Sequence, residues 1–265
     1  MFKKKEQALA STSACFVIMT RMLDFRSILA AIPNPEAIND YLLANSGLPG
    51  PRSNLELAHA AADGLPATIY TPWLEYSPAD VQENTPQVFL VVIAVMALGR
   101  AIVSGEVNQF PRLRKFASDP RWRVREAVAM ALQYIGRHNW ELLIEELNQW
   151  IGHDPLEMRA VTAGLCEPDL LVDDHHAHQV VEILERITQQ FLVFPDRKTD
   201  PVRTLRQGLG YCWSVAIVAA PAYGKPLFER LADSTDPDIR WIVRENLMKN
   251  RLIKMDKEWV TNLQI

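Results

Sequence analysis

The residues with most chemical potential in this chain form a basic run with an aromatic inside it. Between Arg100 and Arg137 stand eight cations (Arg100, Arg112, Arg114, Lys115, Arg121, Arg123, Arg125 and Arg137) against three acids, Glu106, Asp119 and Glu126. Guanidinium and ammonium groups neutralise phosphates, and an exposed indole stacks on a base. The candidate binding patch is therefore Arg112, Arg114, Lys115, Arg121, Trp122, Arg123 and Arg137. The competing reading makes Arg125 a structural residue and leaves the others coating the solvated sides of two helices. From Glu141 to Glu185 the balance reverses, with eleven acids around Arg159 and with Arg186 at the edge. A surface with both signs side by side suits a protein partner as readily as a nucleic acid.

Other constellations are weaker. Asp173-Asp174-His175-His176-Ala177-His178 has metal-ligand residue types. Only Asp174 and His178 stand one helical turn apart, so a polar loop and helix cap is the better reading. His153 beside Asp154 reads as part of a turn. Glu145 and Glu146 point about 100° apart on a helix and make no catalytic pair. Gly208-Leu209-Gly210 lacks the third glycine and the preceding strand of a dinucleotide fingerprint. No catalytic residue, cofactor or metal is expected. Cys15, Cys166 and Cys212 are odd in number and far apart, without disulfide-scaffold density, which predicts buried thiols in a reducing compartment. Trp140, Trp150 and Trp241 fall on or beside apolar stripes and are expected in the core. Trp73 and Trp122 are the better candidates for an exposed face.

The elements that would position these residues are helices. Val124, Ala127, Val128, Ala131, Leu132 and Ile135 repeat as one buried helical face. Asp119 is placed to cap that helix, Pro120 to open it and Gly136 to stop it. Trp140, Leu143, Ile144, Leu147, Trp150 and Ile151 form a second stripe closed by Gly152, so the two helices pair as a hairpin. The opening recurs as Asp154-Pro155 before Arg159 and as Asp236-Pro237 before Arg240. Helices are also read over 35–45, 55–64, 88–104 and 178–194, the last paired with the apolar run 211–220. Loops are read at 47–51, 77–86 and 195–201. No alternation of period two is long enough for a sheet.

Asp-Pro, then an apolar-Arg pair, then an Ala-rich helix ending in Leu resembles the HEAT repeat, as found in bacterial HEAT-repeat domain proteins. The resemblance is good at Asp119–Leu132 and Asp236–Leu247 and loose at Asp154–Arg159. It covers the hairpins at about 112–150 and 223–250 and one helix between them. It implies an all-α, HEAT-like α-solenoid of five or six antiparallel hairpins. It also implies a ladder of Asp119 with Arg125, Asp154 with Arg159, and Asp236 with Arg240. The expected organisation is an N-terminal segment over 1–25, whose order is left open, and a single helical-repeat domain over 26–265. The helical alkyl-base DNA glycosylases are similar in architecture, but their catalytic Trp/Asp motif falls on no particular residues here. The phycobilin-lyase HEAT proteins are another enzymatic relative, and no bilin site is identifiable.

The net charge of −4 excludes whole-surface attraction to nucleic acid or anionic membrane. The apolar run Val88–Leu98 is too short to span a bilayer and is followed by Arg100. Met1-Phe2-Lys3-Lys4-Lys5 hints at a signal peptide, but Ser11, Thr12 and Ser13 interrupt the apolar stretch and Arg21 follows it, so a cytoplasmic location is expected. The expected function is a non-enzymatic binding or scaffolding module whose concave surface takes another protein. The alternative is a DNA-binding repair protein acting through the basic patch. The oligomeric state is open: Trp259, Val260, Leu263 and Ile265 could cap the solenoid or contact a neighbour.

Overall fold

A computed structural model describes residues 20–152 and 154–263. Fifteen α-helices and no strand lie among them, so the fold is all-α. Residues 20–31 form α1, so helix is present before residue 26, where the domain was expected to start. The rest of the N-terminal segment, Cys15, His153 and Ile265 lie outside the described residues.

The helices in chain order are α2 (Pro35–Ala44), α3 (Leu55–Gly64), α4 (Ala67–Tyr70), α5 (Val88–Val103), α6 (Phe110–Ala117), α7 (Trp122–His138) and α8 (Trp140–Asn148). They continue as α9 (Pro155–Leu165), α10 (Asp174–Leu192), α11 (Asp200–Ala219), α12 (Pro221–Ala232), α13 (Pro237–Leu247), α14 (Asn250–Met255) and α15 (Lys257–Asn262). Seven of the fourteen starts from α2 to α15 are set by short polar side chains that accept from the first free N–H groups. Asn54 caps α3, Asn139 caps α8, and Asp154, Asp173 and Asp236 cap α9, α10 and α13.

Helices α3, α5, α7, α9, α11 and α13 each pack against the next. Residues near the starts of neighbours meet, as Glu126 of α7 meets Arg159 of α9 and Arg206 of α11 meets Asp238 of α13. Residues near the ends also meet, as Asp63 of α3 meets Arg100 of α5 and Gln133 of α7 meets Ala163 of α9. Neighbours in this row therefore run parallel. The intervening helices α6, α8, α10 and α12 return the chain on the other side: α6 and α8 pack on α7, α10 and α12 on α11.

The stripe predicted for α7 is fully buried at Val124, Val128, Leu132 and Ile135, each contributing about 1.5–3 kcal/mol. Two glycines set how closely the row packs. A Cβ on Gly99 of α5 would sit 2.9 Å from the carbonyl oxygen of Ala131, and one on Gly164 of α9 would sit 2.8 Å from Cβ of Leu132. Helix α5 is buried from Val88 through Gly99 because α3, α6 and α7 surround it. No helix of the described residues is long and apolar enough to cross a membrane.

Boundaries shift in three places, each for a reason in the packing. Helix α7 begins at Trp122, not Pro120, because the Asp119 carboxylate takes the Arg121 N–H at 2.8 Å and the Arg121 guanidinium instead of capping the helix. Gly136 does not end α7. Its missing side chain makes room for Leu143, and the helix runs to His138, where Asn139 caps α8. Helix α11 starts at Asp200, eleven residues before the predicted apolar run, since Gly208 and Gly210 seat it against Thr162 and Trp241. At the C-terminus Val260 is buried and Trp259 packs on Phe228, donating its indole N–H to Glu229 at 2.7 Å. Past α11, the outward side of α13 carries exposed Arg240 and Arg244, a polar end for the row.

Candidate binding groove

The basic run does not form one surface. Arg121 is 3% exposed, held by Asp119 at 2.7 and 2.9 Å and by the carbonyls of Val81 and Tyr76 at 3.2 Å. It ties the 76–81 loop to the start of α7. Arg123 is buried over the Trp122 ring and reaches the Gly50 carbonyl at 2.8 Å and Glu83 at 3.3 Å. Arg114 makes a two-pronged pair with Glu157 at 2.8 and 2.6 Å, and Arg112 pairs with Glu75. Lys115 is exposed on α6. Arg137 is exposed at the far end of α7, roughly 21 Å along the axis from Arg123 at 1.5 Å per residue. Acids thus pair with Arg112, Arg114, Arg121 and Arg123, four of the cations that the linear sequence presents as one positive stretch.

The Asp/Arg ladder is also differently wired. Arg125 donates to the main-chain carbonyls of Asp119 at 2.7 Å and Pro120 at 2.9 Å, and burial lowers its pKa. Asp154 caps α9 and accepts from the Ser118 hydroxyl at 2.6 Å, while Arg159 pairs with Glu126. Asp236 caps α13 and takes both arms of Arg197, which holds its carboxyl below the usual range; Arg240 faces solvent. The ion pairs between successive helices of the row are thus Asp63–Arg100, Glu126–Arg159 and Arg206–Asp238, and none of the three within-motif carboxylate–guanidinium pairs forms.

The free face of the row carries two adjoining cavities. The first, about 410 Å³, is walled by Leu55, Val92, Trp122 and Met130, with Arg52 and Glu56 also lining it. The second, about 380 Å³, is lined by Gln133, Arg159, Gln207 and Tyr211, with Cys166 and Cys212 in its wall. Glu126 borders both, so its pair with Arg159 lies between them. Trp122 is 46% exposed and Tyr211 45% exposed, the latter under the Arg251 guanidinium at 4.5 Å. Aromatic faces edged by paired charges bind side chains of a partner through buried apolar area and directional polar contacts.

Of the expected patch, Trp122 and Arg123 line the groove. Tyr211, Met130 and the meeting of Cys166 with Cys212 were missed. Met130 and Tyr211 both stand off the buried stripes of their helices, and that offset was the available signal. The two cysteines come from separate helices, and no local spacing reveals them. In the His/Asp cluster, Asp173 caps α10 through the N–H groups of His175 and His176. His176 stacks on Trp140 at 4.0 Å and His178 on Tyr223 at 4.0 Å. Among the described residues no three His, Cys, Asp or Glu side chains group as a metal site.

No protein-family model and no curated protein matches the chain. It is similar to a crystal structure of an engineered protein, a Northeast Structural Genomics Consortium target, at 15% identity and a TM-score of 0.35, over 91% of this chain and 97% of that one. A likeness this weak carries no argument about fold or function.

Proposed function

We propose that the chain is a HEAT-like α-solenoid that acts as a non-enzymatic binding module, taking a protein segment along the free face of α5, α7, α9 and α11. The parallel row, with each member joined to a returning helix, supports the solenoid reading. The observation that carries the functional reading is the pair of adjoining cavities, with Trp122, Met130 and Tyr211 offering apolar contact around the Glu126–Arg159 pair. The fitting partner is an extended or helical segment with apolar anchors spaced between charges of both signs. A nucleic-acid role has less support, because four of the six cations in the expected patch are held by acids of the same chain.

The test is selection from a displayed random-peptide library, followed by titration of the selected peptides against Trp122→Ala, Met130→Glu and Tyr211→Ala. The expected result is a loss of about tenfold or more for at least two of these, as for central interface anchors. In parallel, a 20-base-pair duplex is titrated at low and moderate salt. Salt-dependent duplex binding lost on changing Lys115 and Arg137, with no groove-dependent peptide, would overturn the proposal.

A further inference from the structure

Two free thiols meet at the seam between α9 and α11. Cys166 follows the last residue of α9, with φ −84° and ψ 51°, so its backbone is outside the regular helix. Its N–H donates to the Thr162 carbonyl at 3.0 Å, and the Cys212 thiol donates to the same oxygen at 3.4 Å. Gly208, one turn earlier on α11, allows this approach: a Cβ there would stand 3.2 Å from the Thr162 hydroxyl. Both cysteines line the second cavity beside Arg159, so a small molecule has a route to them. Their side chains are otherwise buried, and a buried thiol is inert unless cations and a solvent path reach it, which the cavity and Arg159 supply here.

We propose that Cys166 and Cys212 are a redox-active dithiol, which hydrogen peroxide entering through the second cavity converts to an intramolecular disulfide. The attacking group is Cys212. It shares the cavity wall with Arg159, whereas Cys166 sits at the carbonyl end of α9, where a thiolate is disfavoured. In keeping with this, its interaction with the Cys166 thiol, then Arg159 and Arg251, hold Cys212 below the ordinary thiol range, while burial pushes Cys166 up. The Cys212 thiolate attacks one peroxide oxygen and the O–O bond breaks. The departing hydroxide takes a proton to become water, leaving Cys212 as a sulfenic acid. The Cys166 thiol then attacks that sulfur, the S–O bond breaks, and the hydroxyl leaves with the Cys166 proton as a second water. Two thiols and one peroxide yield one disulfide and two waters. The bond would tie the end of α9 to the middle of α11 in the wall of the groove, whatever binds there.

The experiment exposes the full chain, and the full chain carrying Cys15→Ser, to hydrogen peroxide with glutathione as a reference thiol. Intact mass should fall by about 2 Da, reversibly with dithiothreitol, and peptide mapping should place the link between Cys166 and Cys212. With Cys166→Ser, the same treatment should instead add about 16 Da at Cys212, trapped by dimedone. Mapping of the unsubstituted chain needs no variant to fold. Thiols that stay reduced while glutathione is consumed, a link through Cys15, or further oxidation without a cross-link would each overturn the assignment.

Discussion

Removing the Asp119 carboxylate should strand a buried cation, and its cost separates a structural Arg121 from a binding one. The Arg121 side chain is 4% exposed and that of Asp119 is 7% exposed, with contacts at 2.7 and 2.9 Å. Breaking one side of such a pair costs about 3–5 kcal/mol, because the remaining charge has lost its partner without regaining water. Asp119→Ala also forfeits the acceptor for the Arg121 N–H at 2.8 Å, about 1 kcal/mol more. The Val81 and Tyr76 carbonyls still accept from the guanidinium and offset part of this, so a net loss near 4 kcal/mol is expected. Arg121→Met fills similar volume, and the double variant removes both charges together. The double variant should therefore be more stable than the sum of the single losses implies, by about 2 kcal/mol. Urea unfolding followed by circular dichroism reads all four proteins. A single-variant cost under about 1 kcal/mol, or strict additivity, would refute the buried-pair reading and return Arg121 to the surface patch.

Three further perturbations, at His59, Gly99 and Gly64, follow from the same packing. His59 lies partly buried beside Arg100 at 3.2 Å, and burial first and that cation second lower its pKa from 6.5 to about 4. Between these values the unfolded chain binds a proton that the folded chain does not, so stability should fall as pH drops from about 6.5 to about 4. The contribution is up to roughly 3 kcal/mol and levels off below that window. Urea midpoints at pH 7, 6 and 5 should show this slope in the parent and a shallower one in His59→Gln; parallel slopes would contradict it. Gly99→Ala should destabilise by about 1–2 kcal/mol, since its Cβ would meet Ala131 backbone at 2.9 and 3.0 Å and outweigh the ~1 kcal/mol helix-propensity gain. Gly64→Ala, with nothing within 4 Å, should be neutral or stabilising by up to about 1 kcal/mol, and equal thermal shifts for both would count against the close row.

Helix content was legible because it rests on local periodicity. The α7 stripe and the Asp-Pro openings of α9 and α13 fall where the sequence puts them. The uses of individual charged groups were not legible, because Arg114 finds Glu157 and Arg121 finds Val81 only after distant segments fold together. Asp119 illustrates the difficulty: an N-cap and a guanidinium clamp need the same residue type, and the partner two residues on took it. Gly136 likewise serves helix packing where a stop signal was read, since contact with Leu143 is invisible to local rules. The groove depends on which off-stripe residues of separate helices come side by side, a long-range property by construction.

Both the groove and its proposed role require α7 and α9 to lie side by side, with α13 two places further along the row. Cross-linking of cysteine pairs by a short bismaleimide, in a chain carrying Cys15→Ser, Cys166→Ser and Cys212→Ser, reads that order in solution. Gln133→Cys with Ala163→Cys should link efficiently, because the Gln133 amide already reaches the Ala163 carbonyl at 3.1 Å. Gln133→Cys with Glu245→Cys should not link, as α9 and α11 stand between. The reverse pattern, a 133–245 link without a 133–163 link, would contradict the row and the binding face built on it.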